Sequence, residues 1–211
     1  MAQCSDSLSS SRTPMRILPA LILVAVASGA WNYFSTRPVD HAVGTLAPAD
    51  PVQVDRSDLP SFSVGGYRIT PAAEFALQAR VLSTKNYHTG RQADISPTDL
   101  ALGWGPMSDS AVLDHLHISQ GNRSYFYRWW GWPPIPPAEI DEHSANMHMI
   151  PASDDVKRRL GQVREDQIVA LSGYLVRVQA PDGWHWNSSM TRSDSGNGAC
   201  ELVWVKNITV R

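Results

Sequence analysis

Cysteine and clustered positive charge are both scarce in this sequence, and each scarcity excludes a class of protein. Only Cys4 and Cys200 occur among 211 residues, which excludes a small fold held together by several disulfides. Lys and Arg total 18 against 20 Asp and Glu, and they form no basic run. Because nucleic acid is bound mainly through clustered basic residues, we expect no nucleic-acid partner. The chain is 43% hydrophobic and 18% charged, so it can bury a core.

An uncharged apolar run extends from Ile17 to Phe34. As a helix rising about 1.5 Å per residue, it reaches roughly 27 Å, enough for the hydrocarbon layer. Arg12 and Arg16 precede it, which favours a cytoplasmic N-terminus. We therefore predict that residues 17–34 anchor the chain in a membrane, with 1–16 as a cytoplasmic tail. A cleaved signal peptide is the alternative, and either interpretation exports the rest of the chain.

The exported part divides into a spacer and a folded domain. Residues 35–60 contain four prolines and no hydrophobic periodicity, which is typical of a semi-extended spacer. Residues 61–211 are predicted to form a globular domain. Cys4 and Cys200 lie on opposite sides of the apolar run, so a spanning segment excludes a disulfide between them.

Patterning in the first half of the domain predicts both strands and short helices. Alternation of apolar and polar residues indicates strands, and Ser or Asp before an apolar stripe indicates a capped helix. The predicted strands are 75–81 and 125–130, and the predicted helices are 96–102, 109–116 and 154–166. For the first strand a helix is the alternative, because Thr70-Pro71 also fits a helix start.

Three strand-like segments follow at the C-terminal end. They are 168–178, 184–192 and 200–210, joined by turns containing Gly and Pro, with Gly173 at a bend. The resulting fold class is α+β with a curled antiparallel sheet and three short helices. An OB-like, partly closed barrel and an ordinary curved sheet covered by helices both fit this pattern.

Three long strings of this sequence resemble a family of bacterial proteins. They are SPTDLALGWGPMSD, HSANMHMIPA and SSMTRSDSGNGACELVWV. The family consists of uncharacterised exported or membrane-anchored proteins and brings no activity with it. The resemblance implies a location in the bacterial envelope; together with the apolar segment, it leads us to expect a single-pass protein of the inner membrane with its C-terminal domain in the periplasm.

Histidines are the first candidates for chemistry. His143 and His148 bracket four residues, and His115 and His117 would share one face of a strand. Two or three such rings with a carboxylate could hold zinc and an activating water. The spacing matches no established zinc motif, so isolated structural histidines are the alternative.

Cys200 is the second candidate. A cysteine nucleophile needs an imidazole, here His143, His148 or His185, and an orienting amide or carboxylate, here Asn146 or Asp194. The alternative is a buried thiol that behaves as a small hydrophobe.

Trp184, Trp186 and Arg192 are the third candidates. Aromatic faces beside a guanidinium form a plausible surface for a sugar or a peptide, although the same alternation fits a core. With no catalytic motif in the sequence, the leading hypothesis is a tethered periplasmic domain that binds a protein or cell-wall component, rather than an enzyme. The alternatives are a zinc- or Cys/His-dependent envelope hydrolase and an oligosaccharide-binding module.

Overall fold

The computed structural model describes residues 17–36, 39–191 and 200–211. The chain divides into two units, Met1–Arg37 and Pro38–Arg211. The first contains helix α1, Ile17–Thr36. Within the part of the chain that is described, no helix combines the length and the hydropathy that a membrane crossing requires.

The second unit is built mainly from strands. Its helices are short: α2 (Arg91–Ile95), α3 (Ser110–Leu113), α4 (Pro137–Glu142) and α5 (Asp154–Gly161), with a 3-10 turn at Gly105–Ser108. Its strands are β1 (Val52–Asp55), β2 (Phe62–Val64), β3 (Tyr67–Asn86), β4 (Thr98–Gly103), β5 (His117–Gly121), β6 (Ser124–Arg128), β7 (Ser144–Pro151), β8 (Ile168–Gln179), β9 (His185–Asn187) and β10 (Glu201–Val210).

Five of these strands form a ring. Along the sheet the order is β3, β4, β7, β10 and β8, and β8 also pairs with β3. All neighbours are antiparallel except β7 and β10, which are parallel. The predicted α+β class with a curled sheet and few helices is confirmed. The expectation that the sheet is purely antiparallel is wrong, because β10 inserts between β7 and β8.

The core lies inside the ring because alternate side chains of every ring strand point there. The β3 residues that alternate in the sequence are buried, as predicted for 75–81. Members of the core from the other ring strands include Leu100, Leu102, Met147, Met149, Leu171, Leu175, Val203 and Val205. Helix α5 begins as predicted, with Ser153 accepting a hydrogen bond from the Val156 amide, and its buried Val156 and Leu160 join this core.

Gly173 allows β8 to curve against β10. A Cβ atom at this position would lie 1.8 Å from the Trp204 carbonyl oxygen, closer than any real contact. Gly173 therefore marks a close approach of two backbones, and the irregularity beside it is an extra residue of β10, between Val205 and Asn207.

The helix predicted at 96–102 is wrong. Ser96 and Pro97 resemble a helix start, but the chain continues as β4, all of whose residues are buried. Pairing with β3 and β7 on either side overrides the local signal, and burial on both faces removes the alternation that identifies a strand. The short helix at 109–116 is present as α3, capped by the Asp109 side chain.

Two further segments differ from expectation. The strand predicted at 125–130 is half of a hairpin, β5–β6, whose turn residues Asn122 and Arg123 both have positive φ. Part of the expected spacer is also folded: β1 pairs with β3, and the Ala47 amide donates to the buried Ser108 hydroxyl.

Candidate functional site

Polar side chains occupy the outer face of β4 and β7. Because Leu100 and Leu102 point into the ring, Asp99 points outward, and it lies opposite His148 on β7. Ala101 is likewise opposite Asn146. The face is covered by the β5–β6 hairpin and by β9 and its neighbours, so these polar groups are buried.

Asp99 is the centre of a buried charged cluster, which we define as Asp99, Arg123 and His148. The Asp99 carboxylate is fully buried. Arg123 Nη1 donates to its Oδ1 atom at 2.7 Å. His148 Nδ1 lies 3.0 Å from the same oxygen without forming an aligned hydrogen bond. A carboxylate this deeply buried requires a cationic partner, which Arg123 provides.

The hairpin turn places Arg123 in this cluster. Its φ of 63° is a left-handed conformation that is uncommon for residues other than glycine. Its side chain also donates to the Ser96 carbonyl at 2.9 Å. The guanidinium carbon lies 3.8 Å from the centre of the Tyr87 ring, and the Arg123 amide donates to the Tyr87 hydroxyl. Arg123 therefore ties the hairpin to β4 and to the end of β3.

Several buried polar atoms of this face lack a hydrogen-bond partner within the described part of the chain. They are Asp99 Oδ2, His148 Nδ1 and the Gln120 side-chain oxygen. Buried polar atoms are nearly always satisfied in folded proteins. His148 Nδ1 is within reach of Asp99 Oδ1, so Asp99 Oδ2 and the Gln120 oxygen are the atoms of this set that no described group approaches in this way.

Aromatic rings and a second arginine border the cluster. The Trp186 ring centroid lies 4.7 Å from that of His148, and the Trp184 ring centroid lies 6.2 Å from that of Trp186. Tyr67 contacts Trp184 edge-on, and Arg91 lies 5.4 Å from the Trp184 ring centre. We call the set Tyr67, Tyr87, Arg91, Trp184 and Trp186 the aromatic–arginine surface. Its residues are half-buried or exposed, so it is accessible to a large ligand.

Cys200 lies at the same face. Leu202 is level with His148 in the parallel β7–β10 pair, so Cys200, two residues earlier, points to the same side. Its thiol donates to the Arg123 carbonyl at 3.7 Å. Asn146 Nδ2 donates to that carbonyl at 3.0 Å and lies 4.0 Å from the Cys200 sulfur. The thiol is reduced and partly exposed.

The other sequence candidates lie elsewhere. His143 ends α4 and contacts Glu139 and Gly105. It lies five residues before His148, an odd number, so the alternation of strand side chains does not place the two rings on the same face. His115 and His117 lie at the exposed start of the hairpin. Among the described residues, no group of three His, Cys, Asp or Glu side chains could hold a metal ion. The predicted zinc site therefore gains no geometric support. Arg192 and Asp194 lie outside the described residues.

Two residues of the site were not foreseen. Asp99 was concealed by the mistaken helix at 96–102, although an acidic residue within the apolar string TDLALG is unusual for a buried strand. Arg123 follows the Gly121-Asn122 turn signal of a hairpin. Recognition of that turn would have indicated a hairpin but not its docking partner.

Alkaline pH is expected to destabilise the domain through Tyr125. This residue lies on β6 with its hydroxyl 2.9 Å from Ser144 Oγ, and burial raises the pKa of Tyr125 to about 12. The folded state therefore retains a proton that the unfolded chain loses near pH 10, so stability falls as pH rises from about 10 to 12. Urea midpoints measured across this range should fall more steeply for the parent than for Tyr125→Phe. Equal slopes would contradict the assignment.

No protein-family model, curated protein or solved structure matches this chain. Its function is therefore inferred from its own residues.

Proposed function

We propose that this chain is a membrane-tethered envelope protein whose domain, residues 61–211 with the segments packed against it, binds a cell-wall component or another envelope protein. The observation that carries the proposal is the aromatic–arginine surface beside the buried charged cluster. Aromatic rings that are only partly buried beside guanidinium groups provide the stacking and polar contacts that ligand recognition uses.

We propose further that the ring is an OB-type barrel. In chain order its strands are β3, β4, β7, β8 and β10, with α5 between the third and the fourth. OB folds bind oligomeric ligands on the face of their second and third strands, between the first–second and fourth–fifth loops. Here the corresponding face, on β4 and β7, is covered by the β5–β6 hairpin, so the loops at its margin are the accessible part. The two loops contribute Arg91 and the pair Trp184 and Trp186, so the OB interpretation selects the same surface as the side-chain geometry.

The membrane location remains a proposal that rests on sequence. Residues 17–34 are apolar and uncharged, two arginines precede them, and the resemblance described above is to exported or membrane-anchored proteins of bacteria. Protease protection in spheroplasts tests this topology. Digestion of the domain from outside supports it, and full protection contradicts it.

Among envelope components, a glycan strand of the cell wall suits the surface best. Sugar rings stack on exposed indoles, whereas their hydroxyls pair with guanidinium and carboxylate groups. A protein partner is the second candidate, because Trp, Tyr and Arg are also the residues enriched at protein interfaces.

Titration with soluble wall fragments is expected to change the tryptophan fluorescence of the purified chain. Trp184→Ala should abolish the saturable change or weaken binding at least about fivefold, since loss of a stacking side chain typically costs about 1 kcal/mol or more. Trp132→Ala is the matched control, because Trp132 is 93% exposed and lies outside this surface. A flat titration of the parent chain would exclude the glycan.

A flat result directs the test to a protein partner. A photo-crosslinking residue in place of Arg91 should then yield a discrete adduct in intact cells, while the same residue in place of Lys157 on α5 should not. Absence of an adduct at position 91, together with the flat titration, would overturn the binding proposal.

A further inference from the structure

We infer that the outward face of the β5–β6 hairpin is a second interaction surface, which binds the headgroup region of an anionic phospholipid bilayer. This contact goes beyond the ligand binding proposed above. It rests on the proposed membrane tether only as the reason why a bilayer is within reach.

The hairpin has one face on the domain and one face in solvent. On its inner side, Tyr125, Tyr127 and Trp129 pack against a hydrophobic cluster that contains Met107 and Ile140. The residues that alternate with these three rings are exposed, as are the residues opposite them on β5. We call this exposed set the hairpin face: His117, Ser119, Phe126, Arg128 and Trp130.

Aromatic rings on and beside the hairpin face are unusually exposed. Phe126 is 56% exposed, Trp130 is 74% exposed, and Trp132, two residues further along the chain, is 93% exposed. Single exposed apolar side chains are ordinary, but a group of large ones marks a contact surface for a protein or a membrane.

The backbone after the hairpin is suited to holding Trp132 in solvent. Gly131 has a φ of 77°, a left-handed conformation that favours glycine. Pro133 fixes its own φ and restricts Trp132, the residue before it, towards an extended conformation. Pro134 follows. The indole is therefore displayed by a stiff segment, which loses little conformational freedom on binding.

The charges of the hairpin face suit the phosphate groups of lipids. Its five residues include an arginine and a histidine and no acidic residue. The Arg128 guanidinium carbon lies 5.4 Å from the Trp130 ring centre, and the His117 ring centroid lies 6.3 Å from that of Trp130. Indole rings favour the zone between headgroups and acyl chains, and a neighbouring arginine extends from there to a phosphate.

A bilayer suits the shape of this surface better than a protein partner does. Aromatic residues that dominate a protein interface fill pockets that the partner provides. Rings that project singly from the surface, as Trp132 does, need no preformed pocket in a fluid headgroup region.

The N-terminal arm of the domain is bound to the segment that leads into the hairpin. The Ser110 hydroxyl donates to the His41 carbonyl at 3.3 Å, and the Asp109 carboxylate accepts from the Gly44 amide at 2.9 Å. Ser110 begins α3, and Val112 of α3 packs in the same cluster as the inner side of the hairpin.

The connection between this arm and α1 is very short. Only residues 37–40 separate Thr36, the last residue of α1, from His41. Five Cα steps of about 3.6 Å span at most roughly 18 Å. The covalent chain therefore cannot place His41 far from a bilayer that holds residues 17–34.

The test reconstitutes the full-length chain in vesicles of phosphatidylethanolamine and phosphatidylglycerol, with a photo-crosslinking residue in place of Trp132. After irradiation, mass spectrometry should find a phospholipid adduct at position 132. The same residue in place of Lys157, which is exposed on α5, is the matched control and should give no adduct. No lipid adduct at position 132, or equal adducts at 132 and 157, would overturn the inference.

A third crosslinking position reports on the tether separately. With the photo-crosslinking residue in place of Val24, a lipid adduct at 24 but not at 132 overturns the hairpin contact and leaves the tether in place. An adduct at 132 but not at 24 supports the hairpin contact and counts against the tether. In intact cells, a protein adduct at position 132 without a lipid adduct would assign the hairpin face to a protein partner instead.

Lipid charge provides a second measurement. Exchange of phosphatidylglycerol for phosphatidylcholine should lower the yield of adduct at position 132, because Arg128 then loses its anionic partners. Arg128→Gln, a change at an exposed position, should make the yield less sensitive to this exchange. Equal yields from anionic and zwitterionic vesicles in the parent chain would contradict an anionic bilayer as the partner.

Discussion

Replacement of Arg123 by alanine is expected to lower the free energy of unfolding by about 3–5 kcal/mol, the usual cost of leaving one buried charge without its partner. Asp99 is fully buried, and Arg123 Nη1 is its hydrogen-bonded cation at 2.7 Å. The substitution also removes the stacking on Tyr87 and the hydrogen bond to the Ser96 carbonyl. Urea unfolding followed by circular dichroism measures the loss.

Arg91→Ala is the matched control for this prediction. Arg91 also pairs with an aspartate, Asp182, and also lies over an aromatic ring, Trp184. Its ion pair is exposed, however, and exposed pairs contribute about 0–1 kcal/mol. Similar losses of unfolding free energy in the two arginine variants would contradict the prediction, because they would show that the buried pair with Asp99 stabilises the domain no more than the exposed pair does.

Gly173→Ala is expected to destabilise the domain by about 3 kcal/mol or more, at or beyond the upper end of overpacking effects. The new Cβ would meet the Trp204 backbone carbonyl at 1.8 Å, and a backbone atom cannot move aside as a flexible side chain can. The β8 backbone would have to move away from β10 to make room. Because β8 pairs with both β3 and β10, this movement would disturb both pairings of the ring. Thermal unfolding measures the effect.

Gly161→Ala provides the comparison, since no atom lies within 4 Å of a Cβ placed there and its backbone conformation is an ordinary one. We expect a change within about 0.5 kcal/mol. A Gly173→Ala domain as stable as the Gly161→Ala domain would contradict the close approach of β8 and β10.

Elements with an uninterrupted local pattern could be predicted from the sequence, whereas those defined by distant partners could not. Alternation along 75–81 identified β3, and Ser153 with its acidic first turn identified α5. The prediction for residues 98–103 was wrong because β4 is buried on both faces. Its sequence therefore has no clear alternation to set against the helix signal of Ser96-Pro97. The sequence also contains no mark of the parallel pairing between β7 and β10, because that register depends on the whole ring.

The site shows the same division. Trp184, Trp186, His148 and Cys200 were chosen from residue type and spacing, and the structure brings the last two and Trp186 to one face. Asp99 and Arg123 share no local pattern with them. Their meeting depends on the β4–β7 register and on how the β5–β6 hairpin docks, which are tertiary properties that no short window of sequence contains.

The closure of the ring also determines when this domain can fold. The partners that close it are far apart in sequence, as in Arg68 with Gln179 and Arg80 with Ile168. In addition, β7 and β8 do not pair with each other, and β10, the last of the described strands, fills the gap between them. A chain of such high contact order folds slowly, on a scale of about milliseconds to seconds. Until β10 arrives, β7 and β8 have unpaired edges that favour aggregation. The outer face of β7 is therefore completed last, because Leu202 comes level with His148 only when β10 pairs with β7.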